Sequence, residues 1–241
     1  MPTLKELFSE CANKFNGIIT WDFYQNSITP ADCAGMCSSL CAHWIRYHSE
    51  DRHLSKELYD KKDPDKLNEI RIGKIQALQD GQLYWLDSDE RSFDKAMSKY
   101  ISWMQSLGLC LQKSVVGGEW TVSYKDTAVD FLVSKNPYTQ SHLLASAIIK
   151  YISSYLFIVI HSFQFRNVPC RGAGHAVCAW VGQKSRGDVC YFDPNGGEVW
   201  FENKYRFFRF AQDYFPYLMM KDGFTEWDIY PLVRGAAPLG R

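Results

Sequence analysis

The chain has 241 residues, 46% of them apolar and 15% aromatic, enough for one large domain with its own core. Its 27 basic and 27 acidic residues cancel to a net charge of zero, which removes the electrostatic case for a nucleic-acid or anionic-membrane partner. The 8 cysteines are scattered rather than arranged as a disulfide framework, no signal peptide opens the chain, and no apolar run approaches about 18 residues, so the expectation is a protein without an integral membrane segment, working in a reducing cytosol.

Residues 3–15 read as an amphipathic helix, with Leu4, Leu7, Phe8, Cys11 and Phe15 on one face and Gly17 ending it. Residues 18–24 read as extended and 26–30 as a turn. In the next stretch Cys37, Leu40, Cys41, Trp44, Ile45 and His48 fall at helical spacing, predicting a helix that follows Gly35 and buries one face. Residues 49–64 are polar and read as a solvated connection. Helices are expected over 65–79 and 89–106, then two short strands over 109–116 and 119–124 joined at Gly117-Gly118, then helices over 126–135 and 138–150. From there the chain turns to strands. Residues 155–160 are continuously apolar, as in a strand buried on both faces, and 175–181, 189–192 and 198–201 follow with short turns between them. Asn203 can cap a helix over 204–215 with Phe207, Phe208, Ala211, Tyr214 and Phe215 inward, and a strand over 228–233 closes the sheet. The expected class is α+β: an N-terminal helical subregion packed on a C-terminal antiparallel sheet. The expected organisation is a lead-in of helix and extended chain over 1–29, a catalytic domain over 30–234, and a tail over 235–241.

Three residues stand out chemically. Cys37 lies in the first turn of its helix, where free N–H groups and the helix dipole favour a thiolate. His175 follows Gly172-Ala173-Gly174 at the start of a strand, and Asp193 ends the next one. His175 and Asp193 are each about nine residues from a turn near Lys184-Ser185, which makes them cross-strand neighbours. A thiol is mostly protonated at neutral pH, a nearby imidazolium stabilises its thiolate, and a carboxylate accepting the other ring N–H holds the imidazole in place. Cys33, Cys37, Cys41 and His43 lack the short C-x-x-C knuckle of a zinc site, so no metal or other cofactor is expected. Cys33, Cys41, Cys178 and Cys190 read as small core residues.

Gly35-x-Cys37-x-x-Leu40-x-x-x-Trp44-Ile45, Gly174-His175-Ala176-Val177 and Phe192-Asp193-Pro194-Asn195-x-Gly197 together resemble the motif blocks of the YopT/AvrPphB family of papain-like cysteine proteases, in the same order. The resemblance spans residues 30–233 in outline and rests on about fifteen positions. It implies a papain-like fold, Cys37 as nucleophile, His175 as general base and acid, and Asp193 as the orienting carboxylate. It further implies a secreted bacterial virulence effector, injected by type III secretion, that acts as a monomer in the host-cell cytosol on a host protein such as a small GTPase or a kinase. The same triad serves glutamine deamidation or transglutamination, which is the alternative reading. The chain departs from papain-like enzymes where they place a Gln or Asn for the oxyanion hole: Asp32 stands five residues before Cys37, and an ionised carboxylate repels an oxyanion. The hole would then use the Cys37 N–H with the backbone N–H of Asp32, or with Gln25 or Asn26 reaching in.

Overall fold

A computed structural model describes residues 2–29, 35–61, 63, 66–86, 102, 104–111, 136–161, 174–183, 187–221, 223–224 and 226–234. Its frame is an antiparallel sheet of seven strands: β1 (Ile18–Trp21), β2 (Leu109–Leu111), β3 (Ser154–His161), β4 (Gly174–Val181), β5 (Val189–Asp193), β6 (Gly197–Phe201) and β7 (Glu226–Arg234), in the spatial order β1-β6-β5-β4-β3-β7-β2. The alternation of side chains along each strand sends two sets of apolar residues to opposite faces. Val177, Ala179, Val181, Tyr191, Val199 and Phe201 pack against α1 (Leu4–Lys14), α5 (Pro137–Ile148) and α6 (Lys204–Lys221). Ala176, Cys178, Cys190 and Phe192 pack against α2 (Cys37–His48), behind which α3 (Leu54–Leu58) and α4 (Glu69–Leu86) join the same cluster. The sheet is therefore covered on both sides, which is why its central strands read as unbroken apolar runs.

The N-terminal helix is tied into this frame. Thr3 and Glu6 form a capping box at its start, and Phe8 is fully buried against Tyr191, Phe210 and Tyr214 with ring centroids 5.3–6.3 Å apart. β1 extends the sheet by pairing with β6.

Expectation and structure agree for α1, for α2, and for strands β3 to β6 to within a residue or two. The polar connection over 49–64 contains a short helix instead. Leu54 and Leu58, one turn apart, are buried beneath α2, while Glu57 pairs with Arg52 and Arg71 at the surface. Two leucines in a charged segment are too few for a periodic signal, but they are enough to dock one turn. The helix expected over 65–79 begins at Glu69 and runs on to Leu86. α6 likewise continues past the expected end, through Pro216 to Lys221, because Leu218 and Met219 find burial beyond the proline. Most of the expected helix over 89–106, the hairpin at Gly117-Gly118 and the helix over 126–135 lie outside the described residues.

α2 is buried almost all round rather than on one face. Ser38, Ser39, Ala42, His43 and Tyr47 are buried along with Leu40, Cys41, Trp44 and Ile45, because α4 covers the side turned away from the sheet. Its polar groups are satisfied locally. Trp44 Nε1 donates to Glu198 Oε2 at 2.5 Å, Ser39 Oγ to the Ile75 carbonyl at 2.8 Å, and His43 Nδ1 bonds the Ser39 carbonyl at 2.8 Å. Burial pushes the His43 imidazole down to about 4, so this ring stays neutral at physiological pH.

Candidate active site

Cys37 is the first residue of α2 and is part-exposed, while His175 at the start of β4 and Asp193 at the end of β5 are buried. The three meet where the sheet ends and α2 begins. The β4–β5 register pairs Cys178 with Phe192 and, continued, sets Asp193 opposite Val177. His175 is thus two residues past the directly opposed position. An offset of two keeps it on the same face, so it remains a diagonal neighbour within reach of a side-chain bond. His175 Nε2 bonds Asp193 Oδ1 at 2.8 Å, and the same imidazole lies close enough to the Cys37 thiol to shift its titration.

The electrostatics follow from this chain of contacts. Burial raises the Cys37 thiol, but the His175 hydrogen bond and charge, with the backbone N–H groups of Ala176 and Ser38, outweigh it and hold the thiol below its ordinary value of 9.0. Burial lowers the His175 imidazole, but the Asp193 carboxylate and the Cys37 sulfur outweigh that and hold it well above 6.5. The pair therefore favours thiolate and imidazolium together, a nucleophile beside a proton donor. Cys41, one turn along α2, has the opposite character: burial raises its thiol well above 9.0, and its Sγ donates to the Ala176 carbonyl at 3.3 Å.

The sign of these shifts predicts how Cys37 reacts with iodoacetamide as pH varies. A lowered thiol stays ionised below pH 9.0, so the wild-type rate should hold up as pH falls and drop only once the thiolate is protonated. In His175→Ala the two largest influences opposing burial are gone, leaving only the Ala176 and Ser38 N–H groups, and the drop should begin at higher pH than in wild type. Coincident profiles for the two proteins would remove the ion pair from the account.

Asp193 is held from three sides. Besides His175, Oδ1 accepts the Asn195 N–H at 2.7 Å, and Oδ2 accepts the Tyr214 hydroxyl from α6 at 2.7 Å. Tyr214 is fully buried, and sequence reasoning placed it only in the core. The signal available was a tyrosine on a helix face otherwise lined by Phe207, Phe210 and Phe215, since a buried phenol needs a partner. Tyr214→Phe leaves Oδ2 without its donor, which should cost about 1–3 kcal/mol of stability. It should also slow Cys37 alkylation at low pH, because a less restrained carboxylate orients the imidazole less well. A melting curve and an alkylation profile check both effects.

The start of α2 has no side-chain cap of its own. Two glutamines from elsewhere fill that role: Gln79 Oε1 of α4 accepts the Ser39 N–H at 3.0 Å, and Gln25 Oε1 accepts the Met36 N–H at 3.1 Å. The Cys37 N–H sits between them in the first turn, where helix geometry gives it no intrahelical acceptor. Asp32, expected near this point, lies outside the described residues, as does Cys33. Of the two other candidates, Gln25 is buried against the α2 start, and Asn26 is turned away, with its Nδ2 on the Tyr24 hydroxyl at 2.9 Å.

The family described as Yersinia/Haemophilus virulence surface antigen matches residues 9–224. The cysteine protease YopT of Yersinia pestis is 28% identical over 209 residues, which cover 82% of this chain and 58% of the relative, and YopT of Yersinia enterocolitica matches to the same extent. The chain thus spans little more than half the length of the curated relatives it matches. Among solved structures, the Pseudomonas avirulence protein AvrPphB superposes with a TM-score of 0.50 at 14% identity, covering 82% of this chain and 91% of that one, a likeness of fold.

Proposed function

Because the chain belongs to the Yersinia/Haemophilus virulence surface antigen family, a family of cysteine peptidases, we propose that it is a thiol protease whose triad is Cys37, His175 and Asp193. The observation that carries this reading is the 2.8 Å hydrogen bond from Asp193 to His175, beside a part-exposed thiol at a helix start that the imidazole holds below its ordinary value. The Cys37 thiolate attacks the amide carbonyl carbon and forms a tetrahedral oxyanion. The Cys37 N–H donates to that oxyanion, and a Gln25 or Asp32 donor would complete the hole. The His175 imidazolium protonates the leaving amine as the C–N bond breaks. A water, deprotonated by the now neutral imidazole, then attacks the thioester and releases the acid product and the thiol. Asp193 keeps Nε2 occupied and stabilises the imidazolium throughout.

The substrates are host proteins, a small GTPase or a kinase being the class the family resemblance implies, reached by secretion into the host cell. The virulence and avirulence descriptions of the matched family and of AvrPphB support this placement. Side-chain deamidation of a glutamine is the second reading, since the same thioester forms from a primary amide. The test is mapping of new N-termini in host lysate treated with wild type or Cys37→Ala. New N-termini present only with wild type establish proteolysis. Intact substrates heavier by about one dalton, with no new termini, would replace it with deamidation.

A further inference from the structure

We propose that Gln25 is a positioning residue that bolts the Asp193–Gly197 turn to the start of α2 and so fixes the approach of His175 to Cys37. The inference rests on the triad reading above. Gln25 lies 12 residues before Cys37, on a short 3-10 turn (Gln25–Ser27), and only 6% of it is exposed. It makes three bonds to two different layers of the fold. Its backbone N–H donates to the Pro194 carbonyl at 2.7 Å, its Nε2 donates to Asn195 Oδ1 at 2.7 Å, and its Oε1 accepts the Met36 N–H at 3.1 Å.

The orientation of this amide is set by chemistry. The Met36 N–H can only donate, so it takes the Gln25 oxygen and leaves the Gln25 nitrogen for the Asn195 oxygen. Asn195 in turn donates its backbone N–H to Asp193 Oδ1. A continuous path therefore runs from the Asp193 carboxylate through Asn195 and Gln25 to the peptide immediately before Cys37. The backbone gives the bridge room. Gly35 has φ +125°, a conformation L side chains rarely adopt, and a Cβ there would point at Gln25 Oε1 from 3.8 Å. Gly197 has φ +115°, and a Cβ there would lie 2.3 Å from the Trp21 carbonyl. The positive φ at Gly35 is a backbone demand near the α2 end of the bridge, and the close approach at Gly197 packs the turn against β1.

The bonds that tie α2 to the sheet elsewhere, Cys41 with Ala176 and Cys178, Trp44 with Glu198 and His48 with Tyr155, act one to three turns further along the helix. They set the helix on the sheet but do not reach the Met36 peptide, which Gln25 alone ties to the Asp193 turn by a side-chain bond among the described residues. A shift of a few tenths of an ångström there lengthens the Cys37–His175 contact, and the thiolate loses the partner that stabilises it.

The test uses the pH profile of Cys37 alkylation, a readout that needs no substrate and that a merely structural glutamine would not move. Gln25→Met keeps length and volume but removes both side-chain bonds. Asn195→Ala removes one bond and leaves Gln25 on Met36, so it carries the test if Gln25→Met does not fold. Each variant should move the fall in rate to higher pH and slow alkylation at pH 6 about tenfold, the effect of one unit in the thiol. The double variant should be no slower than the slower single one, because both substitutions break one path. Profiles that match wild type in both variants, or effects that multiply in the double, would overturn the proposal. A wild-type profile already like that of an ordinary thiol would overturn the triad reading itself, and a normal wild-type profile with unaffected variants would overturn only the bridge.

Discussion

Cys37→Ala should lower turnover of a protein substrate by about 10⁴–10⁶-fold, and His175→Ala should do nearly as much, with the double variant no worse than either. The reason is that in the proposed triad thiolate and imidazolium act as a unit. Without His175 the Cys37 thiol loses the main influences that favour its thiolate, and without Cys37 the imidazole has no sulfur to serve. KM should change little, since only one sulfur atom is removed from a part-exposed site. Folding should be nearly untouched, because Leu40, Cys41, Trp44 and Ile45 are buried in the core while Cys37 packs only partly buried at its edge. The neighbouring thiol cannot substitute: Cys41 is fully buried and held in its protonated form. A steady-state assay with a melting curve beside it checks the prediction, and turnover by Cys37→Ala within tenfold of wild type would move the nucleophile elsewhere.

Phe8→Ala should cost about 3–5 kcal/mol, a fall of roughly 10 °C in melting temperature for a chain of this size. Phe8 is far from Cys37 in sequence, yet its ring lies directly beneath the turn that follows Asp193. A Cβ on Gly196 would sit 2.5 Å from its Cδ2. The same ring meets Tyr214, the phenol that holds Asp193 Oδ2. Truncation therefore opens a cavity under the carboxylate as well as in the core. Cys37 alkylation should slow even at 25 °C, where the variant is still folded. Leu144→Ala on α5 is the matched control. It is fully buried in the same cluster and should lose about 2–5 kcal/mol without altering Cys37 reactivity. Equal effects of the two variants on alkylation would sever Phe8 from the site.

Much of the frame was legible because it depends on patterns local to the chain. The 3.6-residue spacing of α2, the unbroken apolar run of β3 and the Asp-Pro-Asn-Gly turn after β5 each state their own conformation. The shared face of His175 and Asp193 was legible for a related reason. Strand alternation has a period of two, so counting back from a short turn preserves the face even when the register is misjudged by two residues. The weaker expectations failed where packing overrode pattern. The solvated connection holds a short helix over Leu54–Leu58 because those two leucines are buried under α2, and α2 lost its polar face because α4 lay across it.

The supports of the site belong to a different category. Sequence by itself determined the helix with a cysteine at its start, the two strands that carry His175 and Asp193, and the sheet they share, because backbone preference and apolar periodicity act over neighbouring residues. Only the tertiary structure decided that Gln25 and Gln79 bond the start of α2 and that Tyr214 bonds Asp193. A glutamine amide or a phenol will bond to any group it meets, so its identity carries no address. Which carbonyl, N–H or carboxylate it meets is set by how distant layers of the fold come together.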